Sequence, residues 1–130
     1  MTSRGYLLDT HVLLWLEHSP KRLGKNTKRI VGTRNIYYSS ISVAELSQKY
    51  SLRGISFTSK VPAMWQSIGI RPLPFDDEAA LYSANISREW LPDPADRQLV
   101  ATAEANDLGF ITADHKILKL DFEWILDATT

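Results

Sequence analysis

At 130 residues, 44% of them hydrophobic and four of them tryptophan, the chain has the length of about one domain and the composition of a packed core, not of a disordered tail. It has no cysteine, which excludes a disulfide framework and a thiolate metal site; it also lacks any apolar run of about 18 residues, which excludes a membrane helix. The net charge of zero conceals a polarity, with +9 between His18 and Phe75 and −8 between Asp76 and Thr130. An anionic partner for the basic half is one reading of that asymmetry, and a solvated helix surface is the other.

In chain order, Tyr6-Leu7-Leu8 reads as a short buried strand. It follows the N-terminus so closely that no signal peptide is expected, and the cytoplasm is the default location. Val12, Leu13, Trp15 and Leu16 form an apolar stripe at helical spacing. Ser19-Pro20 signals the start of a basic helix that ends near Gly32. Ile36 to Ser40 is β-branched and aromatic, hence a second strand. Ser42-Val43-Ala44-Glu45 fits a capping box that opens a helix towards Leu52. Thr58 or Ser59 caps a further helix through Met64, Trp65 and Ile68, which Gly69 ends. Two prolines place Ile70 to Phe75 in a short strand near a sheet edge. Asp76 or Asp77 starts a helix through Leu81, Ala84 and Ile86. Asp93-Pro94 starts another, with Leu99, Val100 and Ala103 inward. Phe110 to Thr112 is a strand, and Phe122 to Leu126 is read as the last. Alternating strands and helices imply βαβ units, a mostly parallel sheet and helices on both faces, within a single domain over residues 1–130.

Four acids fall just past these elements: Asp9, Glu45, Asp96 and Asp114. Each has a structural explanation of its own. Asp9 can cap a helix, Glu45 can complete the capping box, Asp96 can do the same after the N-cap Asp93, and Asp114 can form an Asx turn. Together they point elsewhere, because in an open parallel sheet ligands bind outside the carboxyl ends of the strands. Carboxylates gathered there repel one another unless a cation joins them, and an all-oxygen set suits Mg²⁺ or Mn²⁺. Thr10 and Thr112 are hydroxyls beside the cluster. Asp93 is the poorer ligand of its pair, being occupied at the cap.

The segments Tyr6-Leu7-Leu8-Asp9-Thr10-His11-Val12-Leu13-Leu14-Trp15, Ser40-Ile41-Ser42-Val43-Ala44-Glu45-Leu46, Asp93-Pro94-Ala95-Asp96-Arg97-Gln98-Leu99-Val100-Ala101-Thr102-Ala103 and Ile111-Thr112-Ala113-Asp114 resemble, in order, those of the PIN-domain nucleases. The resemblance is particularly to the VapC-like toxins of bacterial toxin–antitoxin pairs. It implies an α/β/α sandwich and a metal-dependent endoribonuclease. It carries the metal-ligand role onto Asp9, Glu45, Asp96 and Asp114, with Thr112 in support, and implies a homodimer and a cognate antitoxin. Many relatives have a longer polar approach where this chain has Glu89-Trp90-Leu91-Pro92, and often a tryptophan where it has Ala44.

The chemistry expected is hydrolysis of RNA phosphodiesters by metal-activated water. Lys25, Lys28, Arg29, Lys49 and Arg53 are candidates to hold the RNA backbone. Arg97 is read either as meeting a carboxylate or phosphate or as an exposed helix residue, and His11 as a packed or capping residue. Two alternatives stand beside this reading. A haloacid-dehalogenase-like phosphatase shares the Leu7-Leu8-Asp9-Thr10 pattern but wants a second aspartate where His11 stands. A non-catalytic, receiver-like partner-binding module is the other.

Overall fold

The computed structural model describes residues 5–130, so the expectation that no leader precedes the first strand lies outside the described residues. Strands β1 (Tyr6–Leu8), β2 (Ile36–Ser39), β3 (Ile70–Leu73), β4 (Gly109–Thr112) and β5 (Ile125–Asp127) form one sheet in the order β3-β2-β1-β4-β5. Every neighbouring pair is parallel, with Tyr6 opposite both Ile36 and Gly109, and Leu8 opposite Ile111. The proline-bearing β3 lies at the edge, where a missing N–H breaks no central ladder. Helices α1 (Thr10–His18), α2 (Lys25–Thr33), α3 (Ser40–Leu52), α4 (Lys60–Ser67), α5 (Asp77–Ser83), α6 (Pro94–Ala105) and α7 (His115–Leu118) connect and flank the strands.

The side-chain period of a strand divides the core in two. Leu8, Ile36, Tyr38 and Ile111 face one side and pack with Val12 and Leu13 of α1, Ile30 of α2 and Trp65 of α4. Leu7 and Phe110 face the other side and pack with Leu99, Val100 and Ala103 of α6 and Ile117 of α7. Both faces of the sheet are therefore covered, as an all-parallel sheet requires. This is the three-layer α/β/α sandwich expected, with a sheet fully parallel among the described residues. Among those residues, no helix is long and apolar enough to cross a membrane.

Several element boundaries differ from expectation. Ser19-Pro20 opens a single 3₁₀ turn over Pro20–Arg22, and α2 begins only at Lys25. The break falls at Gly24, where the chain end comes close: Gly24 N–H donates to Ala128 O at 3.0 Å and Asn26 N–H to Thr130 O at 2.8 Å. A Cβ at Gly24 would collide with the Thr129–Thr130 backbone. Helix α3 starts three residues earlier than expected, because Ser39 rather than Ser42 caps it, accepting from Ile41 N–H at 3.0 Å. Helix α5 ends at Ser83, short of Ile86, and leaves Leu81 75% exposed. The last strand starts at Ile125 rather than Phe122, whose ring instead stacks on Trp124. The four-residue α7 was not expected at all.

Candidate active site

The chain leaves β1 towards β2 on one side and later returns to β4 on the other, so β1 and β4 form the point where strand order reverses. A crevice opens there at the strands' carboxyl ends. Asp9 is one residue past β1, and its own N–H still pairs with Ile111 O at 3.0 Å, which continues the ladder into the crevice. It is also the N-cap of α1: Oδ1 accepts from Thr10 N–H at 2.7 Å. Asp114 stands in the corresponding place after β4 as the N-cap of α7, accepting from Lys116 N–H at 2.8 Å. Thr112 ties the two acids together. Its hydroxyl donates to Asp9 Oδ2 at 2.7 Å and accepts from Asp114 N–H at 3.0 Å.

Glu45 reaches the crevice from the second turn of α3. The early start of that helix frees Glu45 from the capping box, and its Oε1 accepts from the Thr10 hydroxyl at 2.7 Å. Thr10 Oγ1 also lies 2.8 Å from Ser42 Oγ. With the single Thr10 hydroxyl proton given to Glu45, the buried Ser42 is the donor in that contact. Asp93 is the N-cap of α6 through Ala95 N–H at 3.0 Å. Asp96 follows in the first turn, half-buried.

These acids line one cleft of about 520 Å³, with Asp9, Thr10, Glu45, Asp93, Asp96 and Asp114 all on its wall. Burial holds the Asp9 carboxyl above the usual carboxylate range, although His11 and the hydrogen bonds from Thr112 and Thr10 pull it down. Burial raises Glu45 likewise, against the bond from Thr10. Asp96 is pushed up to about 7, first by burial and then by the charges of Asp9, Asp93, Asp114 and Glu45. Among the described residues, no three acidic, histidine or cysteine side chains are drawn together tightly enough to clasp an ion as they stand. The donor set nevertheless fits a hard divalent cation: it is all oxygen, it shares one cleft, and its charges raise the proton affinity of Asp9, Glu45 and Asp96.

Two neighbouring residues have structural work. His11 Nε2 accepts from Ala113 N–H at 2.9 Å, its ring packs on Trp15 with centroids 5.1 Å apart, and Nδ1 lies 3.7 Å from Asp9 Oδ2. It therefore packs, as expected, and braces β4 against α1. Arg97 is not fully exposed on its helix and, among the described residues, pairs with no carboxylate. Half-buried, its Nη1 donates to the carbonyls of Leu91 at 2.6 Å and Pro92 at 3.0 Å, pinning the segment before Asp93. Of the basic candidates, Lys49 lines the cleft. Lys25, Lys28 and Arg29 are exposed on α2, Arg53 is exposed at the end of α3, and none of these four lines it. Sequence reasoning missed Ser42 as a buried support of Thr10. Its spacing of three from Glu45 was the available signal, but the same spacing also writes a capping box.

A family model for the PIN domain matches residues 6–123. No curated protein shows significant sequence similarity to the chain. Among solved structures, DNA-bound VapBC from Salmonella typhimurium is similar with a TM-score of 0.67 and 19% identity, over 95% of this chain and 97% of that one. A toxin–antitoxin complex from Klebsiella pneumoniae gives 0.66 and 18%, over 94% and 96%. FitAcB from Neisseria gonorrhoeae gives 0.53 and 27%, over 94% and 95%.

Proposed function

The chain belongs to the PIN-domain family, and on that footing we propose that it is a metal-dependent endoribonuclease, the toxin of a type II toxin–antitoxin pair. The observation that carries the reading is the meeting of Asp9, Glu45, Asp96 and Asp114 in one cleft at the strand-order switch point. These four carboxylates would hold Mg²⁺ or Mn²⁺, which would supply Lewis-acid activation of water and neutralisation of charge on the phosphodiester. Thr112 and Thr10 fix the orientation of Asp9 and Glu45, so the donors stay in place when a substrate enters. Lys49, on the cleft wall, is placed to meet a phosphate, and Lys25, Lys28, Arg29 and Arg53, exposed outside the cleft, are the remaining candidates for the RNA backbone.

The partner reading is a cognate antitoxin, supported by a fold shared with chains from toxin–antitoxin complexes. A homodimer, a single PIN-like domain over residues 1–130 and a cytoplasmic location complete the proposal. Its test is incubation of the purified chain with single-stranded RNA in Mn²⁺ or in EDTA, beside Asp9→Asn and Asp114→Asn. The expected result is internal cleavage by the wild type in Mn²⁺ alone, lost in both variants together with Mn²⁺ affinity while the fold persists. Near-normal cleavage by both variants would remove these residues from the site.

A further inference from the structure

Beside the carboxylate cleft lies a second depression of about 430 Å³, lined by Glu89, Trp90, Pro92, Lys116, Lys119 and Leu120. The two are neighbours along two stretches of chain. Pro92 lines one and Asp93 the other, and Lys116 follows two residues after Asp114. Three features separate this depression from ordinary surface.

Trp90 is 62% exposed, an uncommon place for the largest apolar side chain, and it contributes little to either core. Its backbone is nevertheless held firmly. Leu91 is fully buried and donates its N–H to Ser87 O at 3.0 Å; Glu89 N–H donates to Ser87 Oγ at 3.1 Å. Arg97 fastens the carbonyls of Leu91 and Pro92. The exposed indole is thus presented on a rigid mount, which is what a stacking platform needs. Finally, the half of the chain from Asp76 onward carries only four basic residues against twelve acids, and two of those four, Lys116 and Lys119, line this depression. A local cationic pair beside an exposed aromatic face, in a stretch otherwise strongly acidic, matches a nucleotide: a base for the ring and a phosphate for the ammonium groups.

We propose that Trp90, Lys116 and Lys119 form a nucleotide subsite next to the carboxylate cleft, with a base stacked on Trp90 and its phosphate held by the two lysines. Glu89 on the same wall offers an acceptor to a base N–H and repels a phosphate, which directs the phosphate to the lysine side. As a subsite for the strand being cut, it rests on the nuclease reading; as a site for a nucleotide, it does not. It fixes which nucleotide lies next to the hydrolysed bond.

The full chain in EDTA, which silences cleavage, is titrated with adenosine 5′-monophosphate while the four tryptophan indole N–H signals are followed by NMR. The signal absent from Trp90→Phe is that of Trp90. It should shift saturably, and Trp90→Ala should weaken AMP binding roughly 5- to 150-fold, with Trp90→Phe recovering most of the loss. The double variant Lys116→Ala/Lys119→Ala should bind AMP no better than adenosine. In Mn²⁺, Trp90→Ala should raise the KM for RNA with little change in kcat. An unmoved Trp90 signal, or a Phe variant as weak as Ala, overturns the subsite even where the wild type cleaves RNA. A shifted Trp90 signal in a chain that cleaves no RNA keeps the subsite and removes the nuclease reading.

Discussion

Replacement of Asp96 by asparagine tests the electrostatics of the cleft most directly. The carboxyl is pushed from 3.8 to about 7 by burial and by Asp9, Asp93, Asp114 and Glu45. A carboxylic acid whose folded pKa is raised keeps its proton in the native state at a pH where the unfolded chain has lost it. The unfolded state then binds fewer protons, so stability falls as pH rises from about 4 to about 7 and stays low above that. Roughly three units at about 1.36 kcal/mol each give an upper bound of about 4 kcal/mol. The group is only half-buried, and water reaching it screens the charges, so about 1–2 kcal/mol is the expected remainder. Asp96→Asn keeps the shape and removes the titration. In EDTA at pH 8 it should melt above the wild type by roughly 3–10 °C, with the gap closing towards pH 4. Mn²⁺ should invert the order. At 100 times its Kd a ligand that binds only the folded state adds about 2.7 kcal/mol, and the variant, lacking one donor, gains less. Calorimetric melts at pH 4, 6 and 8, with and without Mn²⁺, read all of this. A variant less stable than the wild type at every pH in EDTA would refute the claim that like-charge crowding and burial govern Asp96.

The neighbouring acid should behave oppositely: Asp93→Ala removes the cap on Ala95 N–H and should lower stability by about 0.5–2 kcal/mol while the folded fraction retains cleavage, whereas Asp96→Ala abolishes cleavage. Denaturant melts beside activity per folded molecule separate the two, and the reverse pattern would move the ligand to Asp93. Thr112→Val leaves a buried Asp9 oxygen without its donor and should cost about 1–3 kcal/mol together with a loss of Mn²⁺ affinity, read by denaturant melts and titration calorimetry; unchanged affinity would show that Thr112 does not orient Asp9. Reversal of Lys25, Lys28 and Arg29 to glutamate should weaken binding of all RNAs alike and flatten its salt dependence, leaving metal binding intact. If affinity and salt slope both survive in fluorescence anisotropy, RNA enters by another face.

Much of the fold was legible because short β-rich runs alternate with helical stripes, and because acids follow β1 and β4 within two residues. What stayed hidden depends on partners far away in sequence. Ser39, Ser40 and Ser42 are all acceptable caps by local chemistry; Ser39 takes the role by accepting from Ile41 N–H, while Ser42 is engaged by Thr10, far away in sequence. The break at Gly24 comes from the approach of Thr130, which no window around Ser19-Pro20 contains. Helix α7 is too short to display a period. Arg97 looked like a charge seeking a charge, yet its partners are two backbone carbonyls.

The sequence also posed capping and metal binding as rival roles for Asp9 and Asp114; in the structure both acids are helix caps and both line the carboxylate cleft, so capping is compatible with the proposed metal role. A helix N-cap sits where a strand's carboxyl end turns into a helix, which in a parallel sheet is the ligand-binding edge. The backbone N–H that each cap accepts, Thr10 for Asp9 and Lys116 for Asp114, is a fixed positive dipole end beside a negative charge. These donors, with the Thr112 hydroxyl, stabilise clustered carboxylates before any cation arrives. Each carboxylate oxygen can accept more than one hydrogen bond, so capping does not exhaust Asp9 or Asp114 as donors to a metal. Asp96 lies a turn inside its helix, beyond the cap that Asp93 fills, and burial and neighbouring charges push it to about 7. Asp96, with its proton held at a pKa of about 7, is therefore a member of the cluster through which pH and divalent cation should compete openly.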